Sequence, residues 1–199
     1  MDARDWDARY AEGEFLWTVT ANQFLTAITE SLLPARALDL ACGEGRNSVW
    51  LAEQGWTFTG VDFSPVGLDK ARWLAGARDV EVTWVEADVL KYQPPRQSFE
   101  LVAVLYLHLS PDDLAVVLGR AAAAVAPGGT LLVVGHSLTN LSDGVGGPQV
   151  ADILYTKERV EAGLTGLTIE RSEEATRAVE TVSGPRPAID YLVLGRVAS

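Results

Sequence analysis

The amino-acid sequence predicts an α/β fold: a doubly wound, mainly parallel sheet of seven strands with helices on both faces. From residue 36 onwards, short apolar runs alternate with segments of helical periodicity, which is the pattern of strand–helix–strand units. The first apolar run ends in a Gly-x-Gly turn that leads into a helix-like segment. The last two runs lack a helix-sized connection, which predicts that these strands pair as antiparallel neighbours.

In the first half of the chain, apolar runs bounded by turn residues predict the strands. These predicted strands are 36–41, 57–62 and 80–88. The intervening segments carry apolar residues at helical spacing, and Ser64-Pro65 supplies an N-cap followed by proline at the first helical position. Predicted helices cover 46–54 and 64–75. A capping box at Thr20–Gln23 predicts an earlier helix.

The second half of the chain continues the same alternation. Ser110-Pro111 opens a helix with acidic residues in its first turn, and Pro127-Gly128-Gly129 is expected to end it. Residues 156–164 predict another helix, whereas the proline-interrupted segment 89–98 does not favour a full one. The predicted strands in this half are 99–107, 130–136, 167–175 and 188–197.

Composition limits the classes of partner. The chain has 199 residues, 16 basic and 27 acidic side chains, and a formal charge of -11. This acidic balance argues against a surface that binds nucleic acid or anionic lipid through charge. We therefore expect a small-molecule partner, no nucleic acid and no membrane, and a monomer or homodimer. No pattern of metal ligands stands out, so no metal is predicted.

The location of the protein is also constrained by the sequence. The single cysteine, Cys42, excludes an intramolecular disulfide and fits a reducing compartment. The polar N-terminus does not resemble a signal peptide, and no apolar run approaches the length needed to span a membrane. The sequence therefore predicts a cytoplasmic protein.

Acidic residues end the first three predicted strands. Asp39, Asp62 and Asp88 lie near the carboxyl ends of strands that are neighbours in a doubly wound sheet. Ligands in such sheets bind beyond these strand ends, and an acid after the second strand can accept both hydroxyls of a ribose. One acid alone could be a solvated strand end, but three on one edge predict a ligand that carries hydroxyls and positive charge.

Nicotinamide dinucleotide is the main alternative ligand, since its fingerprint also has Gly-x-Gly and an acid after the second strand. The pattern here differs, because Ala41 or Gly43 stands at the first glycine and Ser48 at the third. A carboxylate at Asp39 would repel a pyrophosphate, whereas it would attract an ammonium or a sulfonium. S-adenosylmethionine therefore matches the acidic rim better, with S-adenosylhomocysteine as its product.

The segment LDLACGEGRNSVWLAEQGWTFTGVDFSP resembles the first two motifs of class I S-adenosylmethionine-dependent methyltransferases. The segments VEAD, VAVLYL and APGGTLLVV are similar to later motifs of that family. This resemblance implies strand order 3-2-1-4-5-7-6 with the last strand antiparallel. It also implies a single domain over 1–199, with a helical cap at 1–34 and a Rossmann-like sheet at 35–199. WDARY and GEGRN resemble the small tellurite-resistance and thiopurine-type branch.

The resemblance implies roles for individual residues along the rim. Asp39 and the turn from Ala41 to Gly45 would face the methionine part, and Asp62 would bind the ribose. Phe63 would flank the adenine, which Asp88 and the Val89 amide would recognise. The complete predicted cofactor set is Trp6, Tyr10, Trp17, Asp39, Ala41, Cys42, Gly43, Gly45, Arg46, Asn47, Asp62, Phe63, Ser64, Asp88, Val89, Leu105 and Tyr106.

Several of these residues have a second interpretation. Trp6, Tyr10 and Trp17 could form a lid over the ligand or simply dock a helix on the sheet. Arg46 could pair with the cofactor carboxylate or be an exposed arginine at a helix start. Cys42 would be structural, because an acidic turn does not activate a thiol.

Tyr106 and His136 are the predicted catalytic residues. The resemblance places Leu105 and Tyr106 under the sulfonium, and His136, at the end of the fifth strand, could act as a general base. His108 could instead bond a main-chain carbonyl. The sequence predicts methyl transfer to a small-molecule thiol, chalcogen oxyanion or hydroxyl by in-line displacement. A nicotinamide-dependent reductase and a non-catalytic S-adenosylmethionine-binding protein remain alternatives.

Overall fold

A computed structural model describes residues 3–199 and contains the predicted seven-stranded sheet. The strands lie in the order β3-β2-β1-β4-β5-β7-β6, which confirms the expected topology. Strands β1 to β5 pair in parallel, and β7 runs antiparallel to both β5 and β6. The strands are β1 (Arg36–Leu40), β2 (Thr57–Asp62), β3 (Thr83–Glu86), β4 (Phe99–Leu105), β5 (Val125–His136), β6 (Thr168–Thr181) and β7 (Gly184–Arg196).

Helices precede the sheet and connect its strands. The segments that connect the parallel strands carry helices α3, α4 and α5, as the alternating pattern predicts. The helices are α1 (Ala3–Ala11), α2 (Gln23–Thr29), α3 (Arg46–Glu53), α4 (Pro65–Ala77), α5 (Pro111–Ala124), α6 (Asn140–Asp143) and α7 (Lys157–Glu161), with a short 3-10 turn at Ala151–Ile153. Among the described residues, no helix is both long and apolar enough to cross a bilayer.

The core lies on both faces of the sheet, because the central strands are apolar at nearly every position. On one face, Leu38 and Val104 pack with α5 residues such as Leu118. On the other face, Phe58 and Leu25 belong to a second buried cluster. Full burial of one such side chain contributes about 1.5–3 kcal/mol. This two-sided burial is what keeps the carboxyl ends of β1, β2 and β4 in register at one rim.

Some predicted boundaries are wrong, each for a local reason. The capping residue of α2 is Asn22 rather than Thr20, because Asn22 Oδ1 accepts from the amides of Phe24 and Leu25. Strand β3 is shorter than 80–88, and only Thr83–Glu86 pairs with β2. Strand β4 ends at Leu105, since Tyr106 turns into the left-handed region with φ 57°.

The second half of the sheet also differs from expectation in extent. α5 ends at Ala124 instead of at the Pro-Gly-Gly turn, because Val125 already pairs with Phe99 of β4. Strands β6 and β7 are longer than predicted and form a continuous hairpin from Thr168 to Arg196. β5 stops at His136, opposite Asp190, so the part of the hairpin before Asp190 extends past the carboxyl end of the parallel strands.

Candidate functional site

Asp39 lies one residue before the end of β1 and is almost completely buried. Ser48 Oγ donates to its Oδ2 at 3.3 Å, whereas Oδ1 has no hydrogen-bond partner among the described residues. Burial, reinforced by the nearby charge of Asp62, raises the pKa of Asp39 to about 7. A buried carboxylate oxygen without a donor fits a cationic ligand group, such as an ammonium.

The turn after β1 is held in the left-handed backbone region. Ala41, Gly43 and Gly45 have φ of 63°, 55° and 76°. Ala41 therefore has the backbone conformation that glycine adopts without strain. A Cβ added at Gly45 would lie 2.6 Å from Ala71 Cβ and from the Trp84 ring, so the turn packs closely on its neighbours.

The Gly45 amide is used within the turn itself. It donates to Cys42 O at 3.0 Å. Cys42 is buried, and burial next to Asp39 and Asp62 holds the pKa of its thiol well above the ordinary value. These surroundings support a structural role for Cys42.

Asp62 ends β2 and links the glycine turn to the start of α4. Its Oδ2 accepts from Gly43 N at 2.8 Å, and its Oδ1 accepts from Ser64 N at 2.9 Å. Ser64 Oγ in turn accepts from Gly67 N, which confirms Ser64 as the N-cap of α4. A carboxylate has about four acceptor sites, so acceptor capacity remains for a hydroxyl donor such as that of a ribose.

Asp88 lies two residues beyond the end of β3, next to Asp62 along the rim. The Ala87 amide donates to Asp62 O at 2.9 Å, which joins the two strand ends. Asp88 Oδ1 accepts from Leu90 N, and its Oδ2 lies 3.3 Å from Lys91 Nζ. Phe63 and Val89 are partly buried beside these acids. The structure therefore places all three predicted acids at the same edge of the sheet.

The N-terminal segment lies over the glycine turn. Tyr10 is buried, and a Cβ on Gly43 would come within 2.8 Å of Tyr10 Oη. Trp6 packs on Tyr10 with ring centroids 5.4 Å apart. Trp17 is half exposed but its amide donates to Glu44. This arrangement is compatible with both interpretations of the aromatic residues, since α1 packs on the start of α4 and at the same time covers the glycine turn.

Glu44 holds this segment in place, and the sequence reasoning missed it. Its buried carboxylate accepts from the amides of Leu16 and Trp17 and lies 3.0 Å from Lys70 Nζ. Lys70 also donates to the main-chain carbonyls of Tyr10 and Gly13. An acid between two turn glycines was a visible signal, but its partners come from distant segments. The pair connects the turn, α4 and the N-terminal segment.

Arg46 and Asn47, at the start of α3, also bond to the segment before α2. Arg46 Nη1 lies 3.3 Å from Thr18 Oγ1 and 3.4 Å from Thr20 O. Asn47 Oδ1 accepts from Asn22 N at 2.8 Å. Both predicted residues therefore brace the covering segment in this conformation. A separate cavity of about 220 Å³ is lined by residues of α3, α4 and the segment before α2. Arg46 lines this cavity, but Asp39, Asp62 and Asp88 do not.

A second polar cluster lies at the carboxyl ends of β4 and β5, where the β6–β7 hairpin passes them. Tyr106 follows Leu105, which is buried, and its hydroxyl donates to Asp190 Oδ2 at 2.8 Å. Arg177 Nε donates to the same oxygen at 2.7 Å. His136 lies with its ring centroid 5.0 Å from that of Tyr106. The two predicted catalytic residues are thus brought together.

Asp190 and Arg177 were missed because their role depends on the hairpin. Asp190 is the one acid in the apolar run AIDYLVLGRV, which was a usable signal. Burial opposes its ionisation, but the nearby imidazole of His136, the charge of Arg177 and the hydroxyl of Tyr106 outweigh burial and hold the pKa of Asp190 below its usual value. Burial and the charge of Asp190 raise the pKa of the Tyr106 phenol, so it remains protonated.

His108 has the main-chain bond that the sequence analysis offered as its alternative role. Its Nδ1 lies 3.0 Å from Ile153 O, and its ring stacks on His136 at 5.4 Å between centroids. Burial lowers the pKa of His108 to about 4, so it is neutral near pH 7. Its second ring nitrogen, Nε2, lies 3.5 Å from the amide of His136. His108 therefore supports the second cluster from behind.

Sequence comparison relates the rim to methyltransferases. Residues 37–129 match a family model described as a methyltransferase domain. The chain is 38% identical over 103 residues to demethylmenaquinone methyltransferase of Thermus thermophilus, covering 51% of this chain and 47% of that protein. It is 33% identical over 138 residues to ubiquinone biosynthesis O-methyltransferase of Idiomarina loihiensis, covering 66% and 55%. The chain spans about half the length of these curated relatives.

Solved structures share the fold over nearly the whole chain. A structure described as "Conversion of a Disulfide Bond into a Thioacetal Group during Echinomycin Biosynthesis" aligns with TM-score 0.78 and 22% identity, covering 98% of this chain and 93% of that one. N-methyltransferase NodS from Bradyrhizobium japonicum, in complex with S-adenosyl-L-homocysteine, aligns with TM-score 0.74 and 16% identity, covering 99% of this chain and 98% of that one. TehB from Haemophilus influenzae aligns with TM-score 0.74 and 16% identity, covering 90% of this chain and 63% of that one.

These findings relate residues 37–129 to methyltransferases. These residues match a model of a methyltransferase domain, and the sheet has the strand order of the class I methyltransferase fold. S-adenosylmethionine is the cofactor of this class, and the residues present fit it. Asp39 Oδ1 offers a buried acceptor without a donor, and Asp62 retains acceptor capacity at the neighbouring strand end.

Proposed function

We propose that this chain is a methyltransferase that transfers the methyl group of S-adenosylmethionine to a small-molecule acceptor. The observation that carries the proposal is the buried, unpartnered Oδ1 of Asp39 beside a tight glycine turn. An ammonium placed there would satisfy this oxygen. A pyrophosphate would be repelled by it, which disfavours a nicotinamide dinucleotide at the same rim.

The proposed assignment of cofactor contacts follows the rim from β1 to β3. Asp39 and the turn hold the methionine part, Asp62 holds the ribose hydroxyls, and Asp88 with the Val89 amide recognises the adenine edge. Phe63 flanks the ring. When bound, S-adenosylmethionine supplies an electrophilic methyl group on a sulfonium. The chain contributes binding, orientation and exclusion of water, which account for most of the catalysis expected for an in-line displacement.

We propose that residues 1–34 act as a cap on the cofactor. In the described part of this segment, Tyr10 covers Gly43. Glu44 binds the segment through the amides of Leu16 and Trp17, and its partner Lys70 binds it through two main-chain carbonyls. Asp62 is buried, and Asp7 and Tyr10 of this segment lie against Ser64 and Gly43, which donate to it, so the cofactor enters when the cap opens. Closure then removes water from the sulfonium, which strengthens every charge interaction in the site.

The acceptor is proposed to be a thiol, a chalcogen oxyanion or a hydroxyl. The WDARY and GEGRN segments and the fold shared with TehB support the tellurite-resistance and thiopurine-type branch. The relatives named as menaquinone and ubiquinone methyltransferases support a small organic acceptor instead. The formal charge of -11 disfavours a nucleic-acid acceptor.

Calorimetry with S-adenosylhomocysteine and with NADH tests the cofactor assignment. We expect S-adenosylhomocysteine to bind one site per chain and NADH to give no binding heat. Tight NADH binding without a response to S-adenosylhomocysteine would reject the proposal. Turnover of S-adenosylmethionine is then measured with catechol, thiophenol, selenite and tellurite. Cofactor binding without turnover on any of them would favour a non-catalytic binding protein.

A further inference from the structure

Asp190 lies where β7 passes the carboxyl end of β5, between the two residues predicted to be catalytic. Its side chain is fully buried. Tyr106 Oη and Arg177 Nε donate to its Oδ2, at 2.8 Å and 2.7 Å. A buried carboxylate requires partners for both of its oxygens, because an unsatisfied charged atom is costly away from water.

The other oxygen of Asp190 has a neighbour that can satisfy it. Oδ1 lies 3.1 Å from His136 Nδ1, and both atoms are buried. Their alignment does not make a hydrogen bond, and neither atom has another partner among the described residues. Catalytic hydrogen bonds are often poorly aligned before the ligand binds, and they tighten in the complex. A small rotation of the imidazole would join the two atoms.

We propose that Asp190 is a positioning residue that keeps a proton on His136 Nδ1, so that His136 Nε2 is the base for an acceptor bearing an O–H or S–H group. This inference rests on the proposed methyl transfer and narrows its acceptor to one that must lose a proton. The carboxylate fixes the tautomer of the ring and stabilises the imidazolium that forms.

The proposed step balances in atoms and charge. His136 Nε2 takes the proton of the acceptor, while the acceptor oxygen or sulfur forms its bond to the methyl carbon. The bond between that carbon and the sulfonium breaks, and its electron pair stays on sulfur, which gives S-adenosylhomocysteine. The positive charge that leaves the sulfonium is carried by the imidazolium, which faces Asp190.

The other groups around His136 do not compete as bases. The Tyr106 phenol is a donor to Asp190, and His108 uses Nδ1 on Ile153 O while its Nε2 faces the His136 amide. Arg177 is a cation bonded to Asp190, so its charge offsets part of that carboxylate. Asp190, Tyr106 and His108 lie against the ring itself, whereas Arg177 acts on it through Asp190. The Tyr155 ring lies 5.3 Å from that of His108, and its hydroxyl donates to Leu107 O.

The remaining edge of the ring is covered by the segment 144–147, which contains three glycines. A Cβ on Gly147 would lie 2.7 Å from His136 Cδ2 and 2.9 Å from its Nε2. An acceptor reaches Nε2 only when this segment moves. Gly146 and Gly147 have φ of 74° and 73°, a conformation that other residues rarely adopt.

Nitrogen NMR of the histidine side chains tests the inference without any turnover. The chain has only two histidines, so a His108→Gln variant assigns both sets of signals. We expect His136 in the wild-type protein at pH 8 to be protonated on Nδ1. In Asp190→Asn the Nε2-protonated form should appear. A wild-type His136 protonated on Nε2, or an Asp190→Asn spectrum identical to wild type, would overturn the proposal.

A kinetic comparison of two probe acceptors provides the second readout. Catechol is protonated at pH 8, whereas thiophenol is largely ionised and needs no base. Asp190→Asn and His136→Gln should each lower kcat with catechol by about 10²-fold, the lower end for general-base catalysis, with little change in KM for S-adenosylmethionine. With thiophenol the loss should stay within about threefold. An equal loss with both probes would overturn the base role.

Controls separate this inference from the function on which it rests. Asp112→Asn, on the exposed first turn of α5, should match wild type in both assays. If S-adenosylhomocysteine fails to bind the same samples in calorimetry, the methyltransferase assignment fails whatever the tautomer. If it binds and wild-type His136 is protonated on Nε2, only the Asp190 inference fails. The wild-type spectrum decides the matter even if Asp190→Asn does not fold.

Discussion

At the scale of single residues, Asp39 shows a conflict between stability and ligand binding. Its burial raises the pKa to about 7, whereas an exposed aspartate ionises near pH 4. Ionising Asp39 in the folded protein therefore costs free energy. The folded state therefore binds more protons than the unfolded state in that window, and stability falls as pH rises from about 4 to about 7. The same ionised oxygen is the one available to a cation.

Asp39→Asn should therefore stabilise the fold and weaken the cofactor site. The gain in unfolding free energy should grow between pH 4 and pH 7, level off above pH 7, and reach at most about 4 kcal/mol. Urea unfolding at pH 4, 6 and 8 measures this gain, and calorimetry measures the expected loss of S-adenosylhomocysteine affinity. A variant that binds as tightly as wild type at pH 8 would remove Asp39 from the site.

Gly45 packs so closely on Ala71 and Trp84 that the fold has no room for a side chain there. Gly45→Ala would place a Cβ 2.6 Å from Ala71 Cβ and the Trp84 ring, at φ 76°, so we expect a loss of about 2–4 kcal/mol in thermal or urea unfolding. Gly76→Ala is the matched control, because nothing lies within 4 Å of its added Cβ near the end of α4. It should be neutral or stabilising by about 0.5–1 kcal/mol.

The roles of individual residues could be predicted from the sequence only where a local pattern indicates them. Asp39, Asp62 and Asp88 could be found because each follows an apolar run, and parallel strands bring their ends to one rim. Asp190 and Glu44 act through partners 13 to 84 positions away, as with Arg177 and Tyr106 for Asp190. Such pairing depends on tertiary structure, so no local pattern could assign it.

At the scale of elements, Glu44 attaches residues 16 and 17 of the segment before α2 to the rim. Glu44→Gln removes the charge that pairs with Lys70 and weakens acceptance from the Leu16 and Trp17 amides. We expect hydrogen exchange at these two amides to accelerate at least tenfold, with exchange in β1 and β4 unchanged. The affinity for S-adenosylhomocysteine should fall several-fold if the cap contributes to binding.

The control for this prediction is Glu53→Gln, which disrupts a surface ion pair with Arg78 at the end of α3. Exposed pairs of this kind contribute little, so exchange at Leu16 and Trp17 should not respond. Unchanged exchange in Glu44→Gln, or equal acceleration in both variants, would show that Glu44 does not hold the segment.

Element types were predictable, whereas element ends were less so. Hydrophobic periodicity identified all seven strands and the three helices that connect the parallel strands. The ends depend on pairing: β3 is short because few of its residues meet β2, and the β6–β7 hairpin is long because its two strands support each other past β5. That extension places Arg177 beside Tyr106, with the guanidinium 5.6 Å from the ring.

At the scale of the whole molecule, the two polar clusters meet at one edge of the sheet. The acids of β1 to β3 form the proposed cofactor side, and Tyr106, His136 and Asp190 form the proposed acceptor side. A mainly parallel sheet with a terminal antiparallel hairpin brings both to the same rim. The sequence order of the elements was sufficient to predict this edge, because connections in such sheets follow strict rules of handedness.

Ligand binding at this rim should stabilise the whole fold. At a concentration 100 times its dissociation constant, S-adenosylhomocysteine should add about 2.7 kcal/mol. For a chain of this size that corresponds to a rise of about 5–11 °C in Tm. NADH at the same concentration should leave Tm unchanged, and Asp39→Asn should show a smaller rise with S-adenosylhomocysteine. Differential scanning calorimetry measures all three, and an equal rise with both ligands would contradict the assigned site.

A crystal structure of the wild-type chain with S-adenosylhomocysteine is the most direct measurement of the central claim. We expect the ligand's ammonium within hydrogen-bond reach of Asp39 Oδ1, its ribose hydroxyls on Asp62, and its adenine between Phe63 and Asp88. A ligand bound elsewhere, or one whose ammonium and ribose avoid these carboxylates, would contradict it.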